Sequence, residues 1–274
     1  MTDVPAISGQ GRRTRPLITL HGLRRTATRL RLSLAAGLRL GEPVVVALVV
    51  TVVLSAYFVA LPGVDLAVSA LFHSADGFAL SQDPALRALR KSSSWVMGLM
   101  LAGLIVTFVG GLIRSPRRLP DTARRALVLI AGLALASGAV VNGVLKSMWG
   151  RARPIQIETF GGDADFTRAW QVTDQCLSNC SFVSGEGSSA AWMVAVVALM
   201  TPPAFRAWLM PLAVGYGWAL SLNRIAFGGH FLSDILLSWA LTALVVAVLH
   251  RLILTCPKLA RQSRRARRRI VVAA

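Results

Sequence analysis

The sequence predicts an all-α polytopic membrane protein in which six transmembrane helices form a helical-bundle core. Of its 274 residues, 54% are hydrophobic and only 15% are charged, whereas roughly 25% of the residues in a soluble domain are charged. The apolar residues are gathered in runs long enough to cross a ~30 Å hydrocarbon layer as helices. A soluble or disordered protein is therefore excluded.

Six apolar runs define the predicted spans, at residues 44–61, 95–113, 126–145, 188–200, 207–222 and 231–254. The fourth run is the least secure, because it needs the residues from Gly185 onward to reach across and stops at Pro202 and Pro203. Five crossings is the alternative topology. The chain divides into a basic N-tail (1–42), a membrane domain (43–255) and a basic C-tail (256–274).

Basic residues set the predicted orientation. The net charge is +18, and most Lys and Arg residues fall in the two tails and in the loop between the second and third spans. Because cytoplasmic loops collect basic residues, both termini should be cytoplasmic. Residues 17–40 alternate Leu and Arg at helical spacing, which is typical of an amphipathic helix bound to anionic lipid. An organelle transit peptide is the alternative, and nucleic-acid binding is not expected.

Cysteines differ by predicted compartment. Cys176 and Cys180 share the long loop of residues 155–181 on the non-cytoplasmic side, so a disulfide bond between them is expected if that side is oxidising. Cys256 lies on the basic side. A metal site is not expected, since no histidine neighbours the cysteine pair and two thiolates do not complete a zinc shell.

Polar residues form three clusters beside the membrane spans on the non-cytoplasmic side, where such residues are costly and therefore candidates for function. Lys146, Arg153 and Arg224 offer a point charge and two planar forks suited to phosphate oxygens. Ser184 and Gly185 begin a predicted helix, whose free N–H groups form a natural anion site.

His230 and Asp234 fall on one face of a helix. A carboxylate there can hold the imidazole tautomer that a histidine nucleophile or base requires. Together the three clusters predict phosphate chemistry at a membrane surface. For Arg151 the sequence leaves two roles open, contact with a lipid headgroup and binding of the phosphate.

These residues resemble the tripartite signature of the type-2 phosphatidic acid phosphatase superfamily of lipid phosphatases. Lys146 with Arg153-Pro154 matches the first motif, Ser184-Gly185 matches the middle of the second, and Arg224 with His230 and Asp234 matches the third. The resemblance covers about residues 140–240. Six helices with the motifs on the non-cytoplasmic side also suit that family.

The resemblance implies phosphoryl transfer that needs no metal or other cofactor. His230 would attack phosphorus and Asp234 would orient it, while Lys146, Arg153, Arg224 and the Ser184-Gly185 segment would bind the phosphate. Water would then hydrolyse the phosphohistidine.

The chain departs from the signature at three positions. Val183 replaces proline, Asn223 replaces serine, and Glu186 replaces the histidine that serves as general acid. Glu186 is a candidate catalytic acid and base. The alternatives are an ion pair with Lys146, Arg151 or Arg224, and an inactive site.

The sequence therefore predicts a phosphatase acting on a membrane lipid, with its active site on the periplasmic side of a bacterial inner membrane. Candidate substrates are a glycolipid such as lipid A, an isoprenoid phosphate or diphosphate, and a glycerolipid phosphate. The loop of residues 155–181 is expected to cap the site and select the headgroup. A lipid phosphotransferase and a non-catalytic phospholipid-binding or transport protein are the alternatives.

Overall fold

A computed structural model describes residues 42–255 as a bundle of helices. The predicted N-tail helix (17–40), most of the N-tail, the C-tail and Cys256 lie outside the described residues. Seven helices of eight residues or more occur in the described part of the chain. They are α1 (Pro43–Ala60), α2 (Gly63–Ala70), α3 (Pro84–Arg114), α4 (Asp121–Met148), α5 (Gly185–Met200), α6 (Pro203–Ala226) and α7 (Leu232–Thr255).

Local signals explain where these helices begin. Pro84 occupies the first turn of α3, where its missing N–H costs nothing, and the side chain of Asp83 accepts a hydrogen bond from the Leu86 N–H at 2.9 Å. Ser184 caps α5 by accepting from the Gly187 N–H at 3.1 Å. Asp234 in the first turn of α7 accepts from the Phe231 N–H at 2.9 Å. Polar side chains thus cap the starts of α3, α5 and α7.

Apolar packing joins the helices into one bundle. Helix α5 packs against α6 and α7, α1 packs against α7, and α3 packs against α4. Trp192 of α5 is fully buried and donates from Nε1 to the Leu129 carbonyl of α4 at 2.8 Å. Valine and leucine side chains on α1 and α3 remain exposed on the outside of the bundle. In an integral membrane protein such a surface faces lipid, which does not penalise exposed apolar groups.

Four of the described helices are long and apolar enough to cross a membrane, judged by length and composition: α1, α3, α4 and α7. Helix α5 is a shorter apolar helix of 16 residues, and α6 is long but less apolar. The fold class and the integral membrane character are as predicted, whereas the number of six crossings stays a prediction. Helix α3 begins at Pro84, eleven residues before the predicted span, so its first turns extend beyond the apolar segment.

Candidate active site

The three motif clusters meet at one end of the bundle. Lys146 lies in the last turn of α4 and Arg153 in the loop after it. Gly185 begins α5, Arg224 lies in the last turn of α6, and His230 lies between α6 and α7. A Cβ atom added at Gly185 would lie 3.5 Å from Lys146 Nζ, and one added at Gly229 would lie 2.5 Å from Arg224 Nη2. A larger residue at 229 would therefore displace the end of the Arg224 side chain, which packs against the segment that leads into His230.

His230 is buried with only 1% of its surface exposed. Its Nδ1 lies 2.9 Å from the Ser181 carbonyl oxygen. Since a carbonyl can only accept, Nδ1 carries the proton and Nε2 is left unprotonated. Burial lowers the pKa of His230 to about 4, against the opposing effect of Asp234. The imidazole is therefore neutral near pH 7, as a nucleophile must be.

Asp234 makes no direct hydrogen bond to His230 in the structure, and the orienting role expected of its carboxylate stays a prediction. Its Oδ2 is 3.8 Å from His230 Nδ1, beyond hydrogen-bond distance. Instead Oδ2 accepts from the Ser181 hydroxyl and from the Phe231 N–H. Asp234 thus fixes Ser181, whose carbonyl in turn holds His230. The contacts thus connect the carboxylate to the imidazole through Ser181.

Arg151 is neither a headgroup ligand nor a phosphate ligand in the structure, because its side chain is completely buried. Its guanidinium donates to Asp65 at 2.9 Å and to Asp234 at 2.8 Å, with further bonds to the Ser233 hydroxyl and the Thr167 carbonyl. Asp65 also accepts from the Ser233 N–H at 2.8 Å. Arg151 is therefore the buried counter-ion of two carboxylates.

Lys146 and Arg153, by contrast, meet neutral oxygens. Lys146 Nζ donates to Asn179 Oδ1 at 3.2 Å, and Arg153 Nη2 donates to the Asn179 backbone carbonyl at 2.7 Å. Asn179 adopts a left-handed conformation with φ 49°, which asparagine tolerates better than most residues. The same turn places Cys176 and Cys180 in a disulfide with Cα atoms 5.6 Å apart. The long loop thus covers two of the cations expected to bind phosphate.

Glu186 forms ion pairs with two arginines. Its Oε1 lies 3.0 Å from Arg90 Nε and 3.4 Å from Arg224 Nε, while Oε2 is buried with no hydrogen-bond partner among the described residues. Of the expected ion-pair partners, Arg224 is found. Lys146 and Arg151 make no ion pair with Glu186 in the described chain.

A cavity of about 210 Å³ opens beside these residues, between α3, α4 and α5. Lys146, Gly185 and Glu186 line it together with Asn142 and Ser189. Ser184, predicted to bind phosphate, is buried, and its hydroxyl is used as the helix cap. Its contribution is therefore to present the first N–H groups of α5, a position where anions are favoured.

Four contributors to the site were not assigned from the sequence: Asp65, Arg90, Asn179 and Ser181. Asp65 stands alone among apolar and small residues between the first two long helices, and an isolated acid beside a membrane is a recognisable signal. The roles of Arg90, Asn179 and Ser181 could not be predicted from the sequence, because the residues that they contact are distant in the chain. No group of three or more His, Cys, Asp or Glu suited to a metal occurs within residues 42–255.

Fold and site together define a polytopic membrane protein with a buried neutral histidine beside an anion-attracting cluster. Residues 127–258, just under half of the chain, match the family described as the PAP2 superfamily. The match contains the described helices α5, α6 and α7 and nearly all of α4.

Three curated relatives resemble the chain over a similar length. It is 38% identical over 129 residues to the lipid A 4'-phosphatase of Rhizobium etli, covering 47% of this chain and 50% of that protein. It is 40% identical over 134 residues to the lipid A 4'-phosphatase of Rhizobium leguminosarum, covering 47% and 55%. It is 40% identical over 113 residues to that of Francisella tularensis subsp. novicida, covering 41% and 51%. The chain thus spans about half the length of these relatives, and no solved structure matches it significantly.

Proposed function

We propose that the protein is a phosphatase that removes a phosphate from a lipid A-type glycolipid. The observation that carries this proposal is the geometry of His230, whose Nδ1 is committed to the Ser181 carbonyl so that Nε2 is free of a proton. The curated relatives, all named lipid A 4'-phosphatases, support the choice of a glycolipid over the isoprenoid and glycerolipid phosphates.

The proposed reaction has two phosphoryl transfers. His230 Nε2 forms a bond to phosphorus while the bond from phosphorus to the lipid oxygen breaks. The leaving oxygen takes a proton from Glu186 if that residue is the general acid, and otherwise from water. Water then attacks the phosphohistidine, the phosphorus–nitrogen bond breaks and inorganic phosphate leaves. Lys146, Arg153 and Arg224 neutralise the charge on the phosphoryl oxygens, which is the main catalytic requirement of phosphoryl transfer. They would exchange the oxygens of Asn179 and Glu186 for those of the phosphate.

Two roles for Glu186 have different support. Its ion pairs with Arg90 and Arg224 support a counter-ion that positions both guanidinium groups. Its unpartnered Oε2 and its place in the cavity wall support a general acid for the leaving oxygen. A general acid at this position predicts that Glu186→Gln slows alkyl phosphates far more than an activated aryl phosphate. A counter-ion predicts equal losses on both substrates.

Orientation is part of the proposal. Both termini are placed in the cytoplasm of a bacterium and the site at the periplasmic face of the inner membrane, on the support of the basic tails. The basic tails would bind anionic lipid.

Phosphate release from a panel of detergent-solubilised lipids tests the proposal. The panel contains a phosphorylated glycolipid, phosphatidate and an isoprenoid diphosphate, each with and without chelator, and His230→Ala is the matched control. We expect release from the glycolipid that the chelator leaves unchanged and that the variant lacks. Equal release by wild type and His230→Ala would overturn it. Appearance of the phosphate on a second lipid instead of in solution would identify a phosphotransferase.

A further inference from the structure

Three basic residues and a serine form a row on α3 beside the candidate active site, and Arg90 joins this row to the site through its ion pair with Glu186. Arg87, Arg90, Lys91 and Ser94 follow the spacing i, i+3, i+4 and i+7, so they share one face of the helix. This face lies in the first three turns of α3, which precede the predicted span. All four side chains belong to exposed residues.

A groove of about 360 Å³ runs along this face. It is lined by Arg87, Arg90, Lys91, Ser93, Ser94 and Glu186. Ser93, Ser94 and Glu186 also line the 210 Å³ cavity that contains Lys146. The two spaces therefore share a wall, and a ligand in the cavity can extend into the groove.

The groove carries positive charge that the described chain does not neutralise. Arg90 pairs with Glu186, but Glu186 is shared with Arg224. Within residues 42–255, Arg87 donates only to neutral oxygens, the Ser81 carbonyl at 2.9 Å and Gln82 Oε1 at 2.8 Å. Lys91 has no ion-pair partner among residues 42–255. An anion is the ligand that such a surface attracts.

The orientation of the groove is fixed by contacts across the bundle. Asn223 of α6 donates from Nδ2 to the Leu86 carbonyl of α3 at 2.8 Å, and the Ser92 hydroxyl lies 2.7 Å from the Tyr216 hydroxyl. These bonds hold the start of α3 against α6, beside Arg224. Asn223 stands where the family signature has serine, and it is this asparagine that makes the hydrogen bond to α3.

We infer that Arg87, Arg90 and Lys91 form a second anion subsite, which binds a phosphate or carboxylate group other than the one that is hydrolysed. The inference rests on the proposed function, because it assigns the second group to a lipid whose first phosphate lies at His230. The second group belongs either to the same glycolipid or to the headgroup of a neighbouring anionic lipid. Both sources offer the same oxygens to the same cations.

The test removes two charges from the groove and spares Arg90, which contacts Glu186. The variant is Arg87→Gln combined with Lys91→Gln. Its matched control is Arg117→Gln combined with Arg118→Gln, which removes the same charge from exposed positions in the loop after α3, outside the groove. Thermal melting in detergent checks that both proteins are folded.

The substrates are one glycolipid carrying either one or two phosphates, assayed in neutral detergent and again with anionic phospholipid added. If the second group is on the substrate, kcat/KM for the form with two phosphates, divided by kcat/KM for the form with one, should fall about tenfold in the groove variant. This ratio should stay unchanged in the control. The expected loss is no larger because exposed charge pairs each contribute modestly. If it is on a neighbour, the groove variant should lose activation by the anionic phospholipid. Identical ratios and identical activation in both variants would overturn the subsite.

Failure of the proposed function gives a different result. If the wild type releases no phosphate from either glycolipid, equilibrium binding of the two forms replaces the rate measurement. Binding of the form with two phosphates that weakens about tenfold in the groove variant alone would support the subsite without hydrolysis. Equal binding by wild type and the groove variant would reject it.

Discussion

Arg151 and Arg153 lie two residues apart in one loop, yet their surroundings are opposite. Arg151 is completely buried and donates to the carboxylates of Asp65 and Asp234, so its charge is already neutralised. The Arg153 side chain is partly exposed and, in the part of the chain that the structure describes, donates to one neutral carbonyl, that of Asn179. The difference teaches that being close to a phosphate site in sequence does not make an arginine a phosphate ligand. Its guanidinium must also be free of ion pairs with carboxylates.

His230 lies between the buried surroundings of Arg151 and the more open surroundings of Arg153. Its substitution should have the largest effect on activity. The buried side holds its Nδ1 through Ser181, and its other nitrogen is proposed to attack phosphorus. His230→Ala should therefore abolish phosphate release while the protein stays folded, as judged by thermal melting in detergent. Activity above about a hundredth of the wild-type rate would contradict the nucleophile, because residual catalysis without a nucleophile is small.

Replacing each arginine by methionine separates the two regions directly. Arg153→Met should lower kcat/KM by about a hundredfold with little change in the melting temperature, because a donor to the phosphoryl oxygens is lost. Arg151→Met should instead destabilise the folded protein by about 3–5 kcal/mol, because two buried carboxylates lose their counter-ion. Activity lost at unchanged stability in Arg151→Met would mean that Arg151 binds the phosphate itself.

Asp234 and Ser181 test the indirect link to the imidazole. Asp234→Asn should lower the rate more than Ser181→Ala does. The asparagine weakens the bonds to both Arg151 and Ser181, whereas the alanine keeps the backbone carbonyl that accepts from His230. Steady-state rates of the two variants on one lipid measure this. Equal losses would imply that the Ser181 hydroxyl, and not its carbonyl, fixes the imidazole.

The pH dependence of stability sharpens the contrast between buried and open groups. Burial lowers the pKa of His230 to about 4 in the folded protein, whereas an unfolded histidine titrates near 6.5. Between these values the unfolded state binds more protons, so this histidine makes stability fall as pH falls from about 6.5 to about 4. His230→Asn should show a shallower decline in melting temperature over that window. Parallel curves for variant and wild type would contradict the burial of a neutral imidazole.

The disulfide bond between Cys176 and Cys180 should have the smallest effect of these features, and counting free thiols tests whether it is present. Because Cys176 and Cys180 are bridged in the structure, protein isolated from an oxidising compartment should show one alkylatable thiol, that of Cys256, until it is reduced. Mass spectrometry after alkylation counts the thiols. Three free thiols would reject the bridge. The loop closed by the bridge is short, so its contribution to stability is modest.

Local sequence determined where most of the helices lie and how the motif residues are spaced along them. The apolar runs predicted α1, α4, α5, α6 and α7 closely, because hydrophobic length and helix-stop residues act within one segment. The spacing of Arg224, His230 and Asp234 put three groups beside the start of one helix. The beginning of α3 was missed, since its first turns are amphipathic and carry Arg87, Arg90 and Lys91 outside the apolar run.

Only the tertiary structure decided which polar groups are paired. Arg151 meets Asp65 across 86 positions of the chain, Glu186 meets Arg90 across 96, and His230 meets Ser181 across 49. No periodicity links residues so far apart, because such contacts depend on how the helices pack. The sequence by itself therefore determined that the protein spans a membrane and gathers cations with a histidine. The packing decided that Arg151 is paired with two buried carboxylates, whereas Arg153, which we propose binds phosphate, contacts a neutral carbonyl.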